Sequence, residues 1–381
     1  GNVTEYKNPQ GVKQAYEYDG NGNIVKITDG RNNTVTMEYD SMNRMTKKVS
    51  ANNVITQYSY DESGNLQTET DGNGNVTTYK YDKEGNCTEK IKTGSSEKYT
   101  YDKEGRLTSI TYSDNSMEKF EYDVHGNKTS YTDKKGNTMT YIYNKDDRMT
   151  KTVDANGIST EYEYDGVGNL TKKTLHRKKG NSKADEVTTY SYDGNNNLIC
   201  KTDALGKKES YEYDLNGNLV TVKNNSGKVV TSYSYDAVNN CTKKTVDGKT
   251  TTYEYNKNDY QTAMSTASGT ISYVRDELDR IIETNYENGK TVKYSYDNEG
   301  NKTGITYTDG KYVSYAYDGN KNVTEVTDGD KKTTYTYDSD NNRITKTEGK
   351  TTKKISKINN NNGIPLQERL ILALFLCFYP I

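Results

Sequence analysis

The sequence predicts an all-β protein assembled from tandem β-hairpin repeats, in a sheet too long to lie flat. Three observations carry that expectation. A motif, Tyr-x-Tyr-Asp-x-x-Gly-Asn, recurs about every 21 residues along the chain. Its two tyrosines stand at the period-two spacing of one face of a strand. The residues after them are those that close tight turns.

The repeat is clearest at Tyr16, Tyr18, Asp19, Gly22 and Asn23, and again at Tyr58, Tyr60, Asp61, Gly64 and Asn65. It returns at Tyr162, Tyr164, Asp165, Gly168 and Asn169, and at Tyr294, Tyr296, Asp297 and Gly300. The second tyrosine slot falls at 18, 39, 60, 81, 101, 122, 143, 164, 192, 213, 235, 255, 275, 296, 317 and 337, which makes sixteen units. All steps but one are 20 to 22 residues; the exception runs from 164 to 192. The first slot departs from Tyr at Met37 and Phe120, and the second at Arg275. Together the two slots hold 29 of the 37 tyrosines. The Gly slot is otherwise filled mainly by Asn or Asp, as at Asn43, Asp147, Asn196 and Asp279. Gly, Asn and Asp share a tolerance for left-handed backbone, so this slot is a turn position with φ > 0.

Each unit therefore reads as a strand ending at the tyrosines, a turn over Asp-x-x-Gly-Asn, and a second short strand beginning at Ile24, Leu66, Leu107, Leu170 or Leu219. Many units close with a second turn, as in 71–75 or 133–137. Alternation in the second strand is too loose to assign its faces. Sixteen units imply about 32 strands, far beyond the ~10 that a twisted open sheet reaches before curling or splitting. The sheet must curl, close or spiral, each hairpin covering its neighbour's edge. Tyrosines are expected to stack into ladders from repeat to repeat, their rings burying area and their hydroxyls finding partners in a thinly covered interior.

Composition explains why such a device is needed. Only 30% of the 381 residues are hydrophobic and mean hydropathy is −1.10, values that lean toward disorder, whereas 37 tyrosines argue against it. Lys and Arg (52) nearly balance Asp and Glu (54). That balance lacks the basic footprint of a nucleic-acid partner.

The run Tyr162 to Thr171, Tyr-x-Tyr-Asp-x-x-Gly-Asn-Leu-Thr, resembles the YD repeat of Rhs proteins, wall-associated bacterial proteins, insecticidal toxin-complex subunits and teneurins. The resemblance covers roughly residues 1–350. It implies a β-sheet spiralling into a hollow shell, which in bacterial members encloses a toxic C-terminal polypeptide and in animal members belongs to an adhesion ectodomain. It also implies a secreted or cell-surface location, and it carries over no catalytic residue. The Asp-Pro-x-Gly motif of the bacterial core segment has no counterpart, since the prolines are Pro9, Pro365 and Pro380 and no Asp precedes them.

Both ends read as those of a fragment. Gly1-Asn2-Val3-Thr4 matches Gly22-Asn23-Ile24-Val25 midway through a repeat, so any signal peptide would lie upstream. Residues 351–381 form an Asn-rich linker and an apolar run from Leu370 to Ile381, too short for a membrane span, with Gln367, Glu368 and Arg369 blocking its extension.

Candidate chemistry is sparse, and no catalytic, cofactor-binding or metal-ligating set is expected. His125 sits in a turn and His176 in a loop, neither with a spaced nucleophile or carboxylate. Cys87 and Cys241 occupy the Leu slot and Cys200 lies two residues past it, so all three read as small buried hydrophobes, with disulfide pairing left open. The Asp-x-Asn-x-Asn strings at Asp19, Asp71 and Asp193 look superficially like calcium loops but lack the Gly and the Glu that such loops need, and read as β-turns. The long step holds His176-Arg177-Lys178-Lys179 and Lys183, expected on a lengthened surface loop, with contact to an acidic partner or a glycan as its functional reading. Two functions follow: a structural shell around a cargo polypeptide of the same intact protein, or an adhesion module for a carbohydrate or cell-surface receptor.

Overall fold

The computed structural model describes residues 2–179 and 182–354. The linker and apolar tail at 355–381, with Cys377, lie outside the described residues, as do the side chains of Lys178, Lys179 and Lys183. The described chain is one antiparallel sheet of thirty-four strands, from β1 (Glu5–Lys7) to β34 (Thr351–Lys354), and contains no helix. Every strand pairs with the next in sequence, so the topology is an uninterrupted meander. The last strand carries the sheet four residues past 350.

Within a unit the geometry follows from the repeat. In the hairpin of β6 (Ile55–Tyr60) and β7 (Leu66–Thr70), Tyr58 faces Glu69 and Tyr60 faces Leu66, with a bulge between Ser59 and Tyr60. Asp61 N donates to Asn65 O at 2.9 Å and Gly64 N to Asp61 O at 3.0 Å, a type I turn followed by a left-handed residue. That residue has φ 91° at Gly64, and all sixteen units have positive φ at this slot. Lys321 (φ 65°) also occupies it, beside the expected Asn and Asp. The closing turns reuse the device, as at Gly74 and Asn53.

A test of the slot follows from Gly64. A Cβ there would meet nothing closer than the Arg44 side chain at 3.6 Å, so only backbone strain opposes substitution. Gly64→Asn should be tolerated, whereas Gly64→Val should cost ~1–2 kcal/mol for the left-handed backbone. Chemical denaturation of the two variants measures the difference, and equal midpoints would contradict it.

The long step differs from the expected loop. β17 (Leu170–Lys179) and β18 (Ser182–Tyr192) are one extended hairpin, pairing from Lys172↔Thr189 to Lys179↔Ser182. Alternating Lys, Thr, Leu and Val can continue the ladder, and no Gly, Pro or Asn interrupts either strand. His176 is thus a strand residue, with Nδ1 2.7 Å from Asp185 and Nε2 3.3 Å from Glu161.

A single layer leaves no conventional core. Among the described residues only Met37, Ala263, Ile305 and Val313 are buried hydrophobics, with Thr77, Thr174, Asp279 and Thr284 the buried polar residues. Register places Met37, Thr77, Thr284, Ile305 and Val313 on the tyrosine face. The residues between the tyrosines, such as Glu17, Lys80, Glu121, Glu163 and Glu212, are exposed on the other face. In a curled sheet the concave face crowds its side chains and the convex face splays them, so the tyrosine face is the concave one. The convex face is laced by cross-strand ion pairs, including Lys26–Glu17 and Lys47–Glu38, both 2.8 Å. Exposed pairs of this kind contribute about 0–1 kcal/mol each.

The curl is a spiral, and its pitch is set by contacts between residues about 245 apart. The turn after β3 (Ile24–Thr28) meets the turn after β26 (Gly269–Arg275), where Arg31 Nη1 lies 3.2 Å from Asp276. The turn after β5 (Met45–Val49) meets that after β28 (Thr291–Tyr296), and Asn52 Nδ2 donates to Asp297 at 2.9 Å. The turn after β7 meets that after β30 (Tyr312–Tyr317), and Asn320 Nδ2 donates to Asp71 at 2.7 Å. The turn after β9 (Cys87–Lys92) meets that after β32 (Lys331–Tyr337), and Lys92 Nζ pairs with Asp340 at 2.8 Å. Each contact joins turns twenty-three strands apart, so one winding takes twenty-three strands. At ~4.8 Å between strands this gives a circumference of roughly 110 Å and a coil about 35 Å across.

Candidate functional site: the tyrosine-lined wall and the seam between windings

The second tyrosine of each unit ties that unit to the one before. Tyr18 Oη donates to Val3 O at 2.7 Å, Tyr60 to Met45 O at 2.8 Å, Tyr164 to Met149 O at 2.7 Å and Tyr296 to Ile281 O at 2.7 Å. The contact recurs in all fifteen units with Tyr in this slot, Tyr192 reaching across the long hairpin to Leu170 O at 3.0 Å. Its cause is visible in β8 (Val76–Tyr81). Pairing of β7 with β8 stops at Thr68↔Thr78, so the ends of neighbouring hairpins splay and the Leu66 carbonyl loses its ladder partner. Tyr81 Oη supplies the missing donor at 2.8 Å. Arg275 does the same where Tyr is absent, Nε and Nη2 both donating to Gln261 O at 3.0 and 2.8 Å.

These contacts replace the expected ring ladder. Among the described residues the close ring pairs are Phe120–Tyr131 at 5.4 Å and Tyr233–Tyr235 at 6.4 Å, neither of which joins equivalent slots of two units. Equivalent tyrosines sit two strands apart, ~9.6 Å, beyond the 4.5–7 Å range of ring stacking. The first-slot rings instead meet cross-strand partners: Tyr16 faces Ile27, Tyr58 Glu69, Tyr162 Lys173 and Tyr294 Ile305.

The Asp of each unit holds its own turn. Asp19 accepts from Asn23 N and Nδ2, both at 2.9 Å; Asp61 accepts the same pair at 2.8 and 3.1 Å, Asp165 at 2.8 and 2.9 Å, and Asp297 at 2.8 and 2.8 Å. Gly22, Gly168 and Gly300 donate to the Asp carbonyls at 3.1, 3.2 and 3.2 Å. The Asp-x-Asn-x-Asn strings are accordingly turns whose carboxylates are engaged by their own loop. Hydrogen bonds from Asn23 hold the Asp19 carboxyl below the usual range.

The sequence placed the Asn after the Gly slot within its own turn, and its second link was not read. Asn there also reaches the next unit, as in Asn127 Nδ2 to Asp147 Oδ1 at 2.7 Å. Where Arg replaces Asn after an Asp, as at Arg44, Arg106 and Arg280, it makes both links at once. Arg106 Nε donates to Asp102 at 2.7 Å, Nη1 to Asp123 O at 2.8 Å, and the guanidinium lies 5.1 Å from the Tyr122 ring centre. Arg44 and Arg280 repeat this over Tyr60 and Tyr296. The Asn/Arg alternation in a fixed slot is the signal that could have found it, since both side chains donate to two acceptors.

The concave wall is polar as well as aromatic. Glu118 accepts from Tyr112 Oη at 2.9 Å and Tyr131 Oη at 2.8 Å, and that hydrogen bond, with burial, pushes Tyr131 up to about 12. Burial and the Glu69 carboxylate push Tyr79 up to about 12. Lys302 lies 4.2 Å from the Tyr294 ring centre, and burial lowers its pKa. Cys87 and Cys241 correct the expectation of buried hydrophobes: both are half-buried, with Sγ near the carbonyls of Glu89 and Lys243 at 3.5 and 3.4 Å. With Cys200, which is also half-buried, they are free thiols, and a single-layer sheet has no second layer to cover them.

The seam between windings is held mainly by carboxylates. Glu299 accepts from Ser50 Oγ and from Asn52 N at 3.3 Å, Asp279 from Gln10 at 3.5 Å, and Asp340 from Ser95 at 3.5 Å as well as Lys92. Burial opposes the charge of Asp71, Asp276, Asp297 and Glu299, yet hydrogen bonds from Asn75, Arg280, Asn301 and Ser50 respectively hold each below its ordinary value. Depressed folded values mean a stability contribution that is present above ~4, the unfolded range, and lost as pH falls through the folded values. The melting temperature should be flat from pH 7 to 5 and fall steeply below about pH 4. A melting temperature unchanged down to pH 3 would show that these carboxylates do not hold the coil.

Comparison with known proteins gives two findings. The family model for the RHS repeat matches residues 1–34, 18–55, 47–76, 60–98, 101–138, 143–176, 192–229, 213–247, 275–312 and 317–353. Among solved structures, the crystal structure of TcdB2-TccC3-Cdc42 is 14% identical with a TM-score of 0.54, and that of TcdB2-TccC3 without its hypervariable C-terminal region is 15% identical with a TM-score of 0.53. Each aligns with 88% of this chain, which spans 24% of the length of the other. At that identity the likeness is one of fold. No curated protein matches the chain.

Proposed function

The chain belongs to the RHS repeat family, and from that premise we propose that it is a non-catalytic wall segment of a secreted or cell-surface protein, enclosing a polypeptide supplied by the same intact protein. The observation that carries this reading is the coil itself, whose seam contacts recur every twenty-three strands and so wrap the sheet around an interior. Subtracting ~5 Å of side chain from each wall, half the ~10 Å spacing of packed sheets, leaves a bore about 25 Å wide. The bore is wide enough for an extended or helical polypeptide, a helix with its side chains being ~10–12 Å across. Its wall of tyrosine hydroxyls, Glu69, Glu118 and Lys302 is wettable and mixed in charge, which suits a changing occupant better than one tight ligand.

Limited proteolysis of the intact protein that carries this array tests the proposal. The enclosed polypeptide should survive while the coil is closed, and be digested when the seam is opened by substitution at Gly319. Equal digestion in both would defeat the shell reading. Saturable binding of the purified array to a glycan or to cells, with no protected polypeptide, would favour adhesion instead.

A further inference from the structure

Lysines meet different partners on the two faces of the sheet. On the convex face, Glu17, Glu38, Glu163 and Glu212 between the tyrosines are each met across the hairpin by a lysine: Lys26, Lys47, Lys172 and Lys223. On the concave face, the residue opposite the first tyrosine slot is Lys48, Lys90, Lys173, Lys201 or Lys244 in five units, facing Met37, Tyr79, Tyr162, Tyr190 and Tyr233. Among the described residues no carboxylate pairs with any of these five. A sixth lysine in this slot, Lys346, takes Glu348 at 2.7 Å, and the one carboxylate in the slot is Glu69. Lys90 and Lys244 lie instead 6.0 and 5.7 Å from the ring centres of Tyr79 and Tyr233. Lys128, opposite Tyr122, lies 5.9, 5.5 and 5.5 Å from those of Phe120, Tyr131 and Tyr141. A ring attracts an ammonium through its quadrupole but leaves the charge uncancelled.

The carboxylates of the concave face are already engaged by tyrosine hydroxyls. Glu69 accepts from Tyr79 at 3.2 Å, Glu209 from Tyr211 at 2.8 Å, and Glu118 from Tyr112 and Tyr131. The unpaired lysines stand within strands and face the bore rather than a rim, so a winding above or below does not cover them. A wall curved around charges of one sign concentrates their potential in the space it encloses. We propose that the enclosed polypeptide is acidic where it lies against this wall, its Asp and Glu side chains meeting Lys48, Lys90, Lys128, Lys173, Lys201 and Lys244. The proposal rests on the shell reading and adds the chemistry of the occupant. These lysines are spread over one winding instead of gathered in a pocket, so they suit a charged chain in many registers rather than one bound anion. A basic polypeptide would be repelled from the same wall.

Fluorescence anisotropy tests this with labelled oligo-glutamate, oligo-lysine and an uncharged Gly-Ser peptide of equal length, each titrated with the full chain. Oligo-glutamate should bind and the other two should not. Its affinity should fall at least about tenfold between about 0.05 and about 0.5 M salt, as the screening length shrinks. Lys90→Gln with Lys128→Gln and Lys244→Gln should weaken it at least about fivefold, whereas Arg at the same three positions should retain it. Lys47→Gln with Lys172→Gln and Lys223→Gln, on the convex face, should change it far less, and circular dichroism of each variant checks that the sheet is intact. Oligo-lysine bound as well as oligo-glutamate, or binding that the concave substitutions leave unchanged, would overturn the proposal. The shell reading fails separately, through the proteolysis of the intact protein: a protected polypeptide with no binding of oligo-glutamate keeps the shell and overturns the acidic occupant. Oligo-glutamate held by the concave lysines with no protected polypeptide would defeat the shell and leave the site for acidic chains standing.

Discussion

Replacing Gly319 by Val parts the two windings while leaving the hairpins folded. Gly319 and Gly72 face each other across the seam, and a Cβ on either would run into the backbone of the other. Gly319 has no positive φ, so its own turn accepts a side chain, and the whole effect falls on the approach of the windings. With the approach blocked, Asn320 loses Asp71, and the neighbouring links from Asn52 to Asp297 and from Lys92 to Asp340 lengthen with it. At ~0.5–1.5 kcal/mol net per hydrogen bond, more for those to charged groups, the loss is on the order of several kcal/mol. Small-angle scattering should show a larger radius of gyration at unchanged far-ultraviolet dichroism. Gly136→Val makes the control: it sits in a closing turn whose Cβ would meet nothing within 4 Å, but at φ 83°, so it strains its hairpin without opening the coil. A Gly319→Val protein with the wild-type radius would mean that the seam does not hold the windings.

Replacing Tyr162 and Tyr164 by Ser unfolds a neighbourhood rather than the chain. Tyr164 Oη closes the Met149 carbonyl, and its loss leaves that group without a partner between splayed strands, a cost of ~1–3 kcal/mol. Tyr162 loses its packing over Lys173. Both rings are half-buried, so each costs less than the ~3–5 kcal/mol of a core aromatic. In a repeat array the damage passes through nearest-neighbour interfaces. Hydrogen exchange should rise over about residues 141–213 while Tyr296 and Tyr317 and their strands stay protected. Tyr164→Phe separates the two contributions, since it keeps the ring and removes only the donor. Uniform exchange along the double variant would contradict the picture of locally coupled hairpins.

The arrangement of the site was legible in part. The Asp of each turn, the left-handed slot and the alternation of the tyrosine strand could be read because each depends on residues within about eight positions of one another. The Arg44 and Arg106 links were not read, because their acceptors, Asp61 O and Asp123 O, lie seventeen residues on. The tyrosine hydroxyl contacts were also missed, although the rings were rightly placed on a face. A carbonyl becomes available only where two hairpins splay, and the splay is set by bulges in both.

The sequence by itself determined the hairpin, its turn chemistry, the number of units and the family, since all of these are local or periodic. Tertiary structure alone decided that the sheet spirals rather than closes, with twenty-three strands to a winding. Strand twist and the bulge beside each tyrosine accumulate a small rotation per unit, and no single repeat encodes the sum. What fixes that sum is a set of contacts about 245 residues apart, where Gly72 admits Gly319 and the carboxylates of Asp276, Asp297, Glu299 and Asp340 find Arg31, Asn52, Ser50 and Lys92. Those residues are ordinary residues of the turns and strand ends in their own units, and they become a seam only because the pitch of the coil brings the twenty-fourth strand over the first.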